Sequence, residues 1–215
     1  MSERNADSTT VVPHDSKSAL RKKFLAHRLT LPQAEITACG EQLRVRGNKI
    51  SEITQAKTLA AYVSMGSEIP TLPLLNDVLA RGTRVLVPRL GTGRQIGWSY
   101  MESSERLVPQ GAHRPEEPAD APVVGLDELN TADVILVPAF FIDAEGFRLG
   151  RGAGWYDRAL LHRRANAVVI GIAYPWETAS EEPKDDEALP RLLPRDPHDI
   201  PVGMVLTPAG VTRLH

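Results

Sequence analysis

The chain has 215 residues, 42% hydrophobic and 24% charged, with a formal net charge of -2. That length suits one ordinary domain, or one domain with an extension, and the composition fills a sizeable core. The near-neutral balance gives no electrostatic case for nucleic acid or an anionic membrane as a general partner. No apolar run approaches the ~20 residues of a membrane span, and the polar first fifteen positions lack the apolar core of a secretory signal. The single cysteine, Cys39, has no internal disulfide partner and points to no zinc site; inside a predicted helix it reads as a small buried hydrophobe. The expectation is a cytoplasmic monomer whose partners are small molecules.

Residues 1–15, rich in Ser, Thr, Asn and Asp, read as a disordered leader to a single domain spanning 16–215. Ser16 is placed to cap a helix from 17 to about 29, with Ala19, Leu20, Phe24 and Leu25 as its apolar side. Lys17 and Arg21, four apart, project from one face of it. Pro32 suits the first turn of a second helix running towards Ile50 or Ile53. Residues 58–65 read as a buried strand, broken by Gly66 and Ser67 and followed at once by Glu68. A helix is predicted over 69–81, with Leu72, Leu74, Leu75, Val78 and Leu79 as its stripe and Gly82 as its stop. A second strand covers 84–88, a turn 91–93 and a short hairpin strand 95–101.

Residues 102–130 read as a long surface connection with a short ordered piece near Leu126–Leu129; runs of that length inside a domain carry function or an unrecognised element. The third strand is Val134–Pro138, followed by a turn at Asp143, Ala144, Glu145 and Gly146. Next come the glycine-rich stretch 148–157 and a helix from 155 to about 164. A fourth strand covers 167–173. An acidic, proline-broken loop over 177–197 ends in His198-Asp199, and a short fifth strand covers 204–207. Apolar strands separated by helices imply an α/β fold with a mostly parallel sheet covered on both faces. Ligands gather outside the carboxyl ends of such strands. Glu68, the glycine-rich stretch and Asp199 each follow a strand and are expected to share one crevice.

The glycine-rich stretch is Arg148-Leu149-Gly150-Arg151-Gly152-Ala153-Gly154-Trp155-Tyr156-Asp157. Alternate glycines let the main chain approach a ligand, and free N–H groups at the following helix start favour an anion. Arg148 and Arg151 add planar donor forks suited to phosphate, while Asp157 suits a magnesium ion riding on phosphate. A nucleotide triphosphate site follows. The stretch is neither a P-loop nor the dinucleotide fingerprint. The competing reading is a loop that turns a corner while its arginines pair with carboxylates.

With Lys17-x-x-x-Arg21, the strand end Tyr62-Val63-Ser64-Met65-Gly66-Ser67-Glu68, and His198-Asp199, this stretch resembles the 5-formyltetrahydrofolate cyclo-ligase family. The four motifs stand in the family's order, and the likeness covers most of the chain beyond the leader. Ala153 stands where the family has glycine or lysine, Trp155 where it has tyrosine, and Gly203 where an acidic residue is frequent. The resemblance implies a three-layer α/β/α sandwich related to the ribose-phosphate isomerase and coenzyme A transferase group. It also implies an ATP- and magnesium-dependent closure of 5-formyltetrahydrofolate to 5,10-methenyltetrahydrofolate. By that resemblance ATP meets Lys17, Ser18, Ala19, Leu20, Arg21, Arg148, Leu149, Gly150, Arg151, Gly152, Ala153, Gly154, Trp155 and Tyr156. The folate meets Val63, Glu68, Arg151, Gly152, Ala153, Gly154 and Trp155. Asp157 and Asp199 hold the metal, and Arg148 and Arg151 act in catalysis. A non-catalytic nucleotide or folate sensor, and a phosphosugar isomerase-like enzyme without ATP, are the competing classes.

Overall fold

Leu20, Phe24 and Arg28 recur at four-residue spacing, and they define the inner face of helix α1 (His14–Thr30). A computed structural model describes residues 14–90, 96–112, 114–179, 189–197 and 199–214. The expected turn at 91–93, His113, His198 and most of the expected leader lie outside the described residues. Helix α1 spans His14–Thr30, so Ser16 falls inside the helix rather than ahead of it. Ala19 and Leu25 are exposed, because the buried stripe turns towards Phe24 and Arg28 instead. Pro32 is the N-cap of α2 (Gln33–Gly47), in extended conformation, and the predicted continuation is a separate short helix, α3 (Ser51–Gln55). Cys39 is half-buried against the core.

The first predicted strand is cut to β1 (Thr58–Ala60); residues 61–63 stay buried, but the segment leaves the ladder after one bond, Ala61 N–H to Leu86 O. Helix α4 (Leu72–Ala80) starts later than its apolar pattern, since Pro70 and Thr71 intervene. Gly82, at φ +82°, ends it as expected. Strands β2 (Arg84–Leu90) and β3 (Ile96–Met101) form the expected hairpin. The long connection contains a two-strand ladder, β4 (Leu107–Val108) and β5 (Glu117–Pro118), too short to show as a period. Strand β6 (Val134–Pro138) matches its predicted bounds. It leads to a second hairpin, β7 (Phe141–Ile142) and β8 (Arg148–Leu149), around the expected turn. Helix α5 (Trp155–Leu160) is shorter than predicted. Strands β9 (Val168–Ile172), β10 (Met204–Leu206) and an unpredicted antiparallel β11 (Val211–Arg213) complete the sheet.

The sheet runs β11-β10-β9-β6-β1-β2-β3, parallel except at its two edge strands. Alternation along the strands sends side chains to two separate layers. Val85, Val87, Leu136 and Ile170 pack towards Leu43, Ile53, Leu74 and Val78, from α2, α3 and α4. Leu86, Ile135, Val137 and Val169 pack on the other face with Trp98, Leu129 and Leu160. Each fully buried aliphatic chain contributes about 1.5–3 kcal/mol, so the two layers, rather than helix propensity, hold the sheet. A third cluster, Phe24, Phe140, Phe141, Leu149 and Leu193, ties α1 to the β7–β8 hairpin. That tie brings Lys17 and Arg21 over the sheet's carboxyl edge.

Candidate active site

A cavity of about 720 Å³ opens at the carboxyl end of β1 and β6, and it gathers the predicted motifs. Lys17 and Arg21 enter from α1, Val63 and Glu68 from the segment after β1, residues 148–158 from the glycine-rich loop, and Asp199 from the acidic loop. Ser18 and Ala19 are exposed, and Leu20 packs beside Phe24. Helix geometry explains this: positions 17 and 21 share a face, and the three between them turn away from the cavity.

The glycine-rich loop bends where its glycines allow. Gly152 and Gly154 have φ of +98° and +63°, conformations unfavourable to any side chain with a Cβ. Arg21 crosses the loop, donating from Nε to Gly150 O at 2.7 Å, and a Cβ on Gly152 would sit 3.3 Å from its guanidinium carbon. Gly154 is the N-cap of α5, and Asp157 lies in that helix's first turn. Trp155 and Tyr156 serve both core and cavity. They stack edge-on at 4.5 Å, Trp155 meets Trp98 at 5.1 Å, and both line the cavity. The Trp155 Nε1 and Tyr156 hydroxyl are buried without a hydrogen-bond partner among the described residues. Burial pushes the Tyr156 hydroxyl well above the usual phenol range, so it stays a neutral donor.

Both arginines of the loop line the cavity, and each is paired with a carboxylate. Arg148, with its side chain 4% exposed, donates from Nη2 to Asp157 Oδ1 at 2.5 Å and from Nη1 to Ile200 O at 3.0 Å. Its guanidinium is thus held between Asp157 and the main chain of the acidic loop, at the cavity wall; burial lowers its pKa, and Asp157 opposes that shift. Arg151 is half exposed and reaches across to Glu68, which is 7% exposed. The second Glu68 oxygen accepts from Met65 N–H at 3.0 Å. Glu68 precedes α4 by four residues, so it is a cavity group and not a helix-terminal carboxylate.

The acidic loop is laced to the β7–β8 turn. Asp143, 2% exposed, accepts from the N–H groups of Glu145, Phe147 and Leu193, each at 2.9 Å. Burial is the largest influence on its carboxyl and holds it above the ordinary aspartate range. Ala144 N–H bonds to Arg191 O, Val202 N–H to Gly146 O, and Arg195 pairs with Glu145 at 2.7 Å. Asp196 and Asp199 are carried between these attachments, with the Lys17 ammonium 3.8 Å and 4.0 Å from their carboxylates.

No group of three or more His, Cys, Asp or Glu among the described residues is arranged to hold a metal ion unaided. Asp157 and Asp199 nonetheless line one cavity, and magnesium favours one or two carboxylates completed by phosphate and water. The donor set fits that ion. Arg28 and Phe140 also line the cavity, and no motif marked them; Tyr62 and Met65 line it too, inside the strand-end motif but with no role assigned to them. For Arg28 a signal existed, a charge on the inner stripe set by Leu20 and Phe24.

The chain matches the 5-formyltetrahydrofolate cyclo-ligase family over residues 13–208. It is 37% identical over 200 residues to the 5-formyltetrahydrofolate cyclo-ligase of Mycolicibacterium smegmatis, covering 90% of this chain and 94% of that one. The Escherichia coli cyclo-ligase is 28% identical over 177 residues, covering 80% and 89%. Among solved structures, the 5,10-methenyltetrahydrofolate synthetase of Aquifex aeolicus superposes with a TM-score of 0.71 at 30% identity, covering 93% of each chain. The 5,10-methenyltetrahydrofolate synthetase of Mycoplasma pneumoniae, at 21% identity and a TM-score of 0.65, covers 89% of this chain and 98% of that one and shares the fold. A family match across nearly the whole chain, on a fold whose crevice collects the same motifs, makes this protein a member of the 5-formyltetrahydrofolate cyclo-ligase family.

Proposed function

We propose that the protein closes 5-formyltetrahydrofolate to 5,10-methenyltetrahydrofolate, using ATP and magnesium and releasing ADP and phosphate. The observation that carries this reading is the single cavity holding cations of α1, the glycine-rich loop, two acidic residues and the buried Glu68. A formamide oxygen is a poor leaving group. Its attack on the γ-phosphorus forms a P–O bond and expels ADP; nitrogen 10 then adds to the activated carbon and loses its proton, and the C–O bond breaks to release phosphate. Such a transfer asks the protein for alignment and for neutralisation of spreading negative charge.

Lys17, Arg21 and the N–H groups of residues 150–154 bind the triphosphate, with Tyr156 as a neutral donor. Glu68 accepts from the N–H groups of the pterin ring, which would otherwise be desolvated unpaired at about 1–3 kcal/mol. Val63 and Trp155 flank that ring. Arg151, hydrogen-bonded to Glu68 and set in the phosphate loop, is the residue best placed where formyl oxygen and terminal phosphate meet. Asp157 and Asp199 would hold magnesium, and Arg148 positions Asp157. When bound, the ion would supply charge neutralisation across the phosphates. Small-molecule substrates, a monomeric working form and a cytoplasmic location complete the proposal; no helix among the described residues is long and apolar enough to cross a membrane.

The test is product absorbance from 5-formyltetrahydrofolate with and without ATP and magnesium. Growth of methenyl product only when both are present is the expected result and excludes a non-catalytic sensor. Calorimetric binding of ATP that requires magnesium excludes an isomerase that works without nucleotide; absence of both signals would sink the proposal.

A further inference from the structure

We propose that Arg28 contacts the folate ring, its free guanidinium edge donating to the 4-oxo oxygen, so that the site selects a 2-amino-4-oxo pteridine over a 2,4-diamino one. The inference rests on the folate reading above and adds a residue outside the glycine-rich and acidic loops.

Arg28 is 4% exposed, yet it lies in the cavity wall. Its Nε donates to Glu177 Oε1 at 2.6 Å, and Nη2 donates to Glu177 Oε2 at 2.7 Å and to Ala139 O at 2.6 Å. A guanidinium has five N–H groups, and these bonds use the three on Nε and Nη2. The pair on Nη1 has no acceptor among the described residues. Phe140 and Tyr174 lie 4.6 Å and 5.3 Å from the guanidinium carbon, which holds its plane fixed.

Neutralising Glu177 does not require a place in the cavity wall. Nη1 is not among the fully enclosed atoms without a partner, so this edge opens onto the cavity, where a ligand oxygen that meets it gains a charge-assisted bond. Glu68 is another residue of the same cavity wall. Acceptor and donor together match one edge of the oxo ring, where N3–H and the 2-amino group give and the neighbouring oxygen takes. The diamino ring reverses this edge. An amino group replaces the oxygen, and N3 carries no hydrogen, so donor faces donor and acceptor faces acceptor.

The experiment is calorimetry without nucleotide, using 5-formyltetrahydrofolate and its 2,4-diamino counterpart. The proteins are the wild type, Arg28→Lys, and the joint Arg28→Met/Glu177→Met variant. The lysine keeps a charge for Glu177 but lacks the second nitrogen; the methionine pair removes both buried charges together, a change that buried ion pairs tolerate. The wild type is expected to favour the oxo ring by roughly 10- to 100-fold. The two variants are expected to lose most of that preference while ATP affinity holds. Equal binding of both rings by the wild type overturns the inference, as does an undiminished preference in a folded variant. Because binding and not turnover is read, a wild type that forms no methenyl product would defeat the functional reading while the ring preference still decides Arg28.

Discussion

Arg151 donates from both Nε and Nη2 to one oxygen of Glu68, at 3.1 Å and 3.0 Å, across 83 positions of sequence. One partner lies in the loop assigned to phosphate and the other in the segment assigned to the pterin. The anion-site reading and the paired-arginine reading of the sequence therefore meet in one contact. An exposed ion pair contributes little, but this one ends on a buried carboxylate that can accept further bonds.

Glu68→Gln is expected to raise the Michaelis constant for folate by roughly tenfold, since a charged acceptor becomes a neutral one. ATP binding is expected to persist. Steady-state kinetics with each substrate varied in turn checks this, and an unchanged folate constant would remove Glu68 from the ring's binding site.

Asp157→Asn is expected to lower turnover by roughly 100- to 1,000-fold, the range for losing one preorganised charged group. Asp157→Ala leaves the buried Arg148 charge without its carboxylate and is expected to lose stability as well. Turnover at increasing magnesium, together with urea denaturation of both variants, separates the two effects. Full activity in the asparagine variant would contradict the metal assignment.

Gly146→Ala is expected to destabilise the fold by at least about 1 kcal/mol, because a side chain at positive φ is strained. The backbone there has φ +86°, and a Cβ would fall 2.5 Å from Val202 O. That oxygen belongs to main chain laced to the turn, so it cannot swing aside. A urea midpoint equal to wild type would show that the attachment is loose.

The pH profile offers a check away from the cavity. Arg213 holds the Glu52 carboxyl down, from 4.5 to about 2. A depressed folded-state pKa adds stability that is present above the unfolded value and fades as pH falls from 4.5 towards 2. Glu52→Gln is expected to flatten that part of the stability curve and to lower stability by a constant amount at every pH above it, measured by thermal unfolding from the acid range to neutral pH.

Much of the sheet was legible because Val134–Pro138 and its neighbours are apolar on both faces, a pattern long enough to stand out. The two-residue pairs β4–β5 and β7–β8 carry no readable period and depend on tertiary partners. In the site, chemistry chose the residues and geometry chose the neighbours. Arg148 and Asp157 were both singled out, but nothing in their spacing shows that they hold one another. Arg28 escaped notice because a helix stripe is ordinarily scanned for apolar side chains.

Helix α1 is fastened unevenly. Among the described residues, its far end is pinned by the enclosed Arg28–Glu177 pair, while the contacts of its leading half include Arg21 to Gly150 and the longer approaches of Lys17. Loosening is therefore expected to be directional, like a hinged bar lifting at the end away from its pin. Amide deuteration should enter near Lys17 first and near Arg28 last, and a bound triphosphate should slow the early exchange far more than the late.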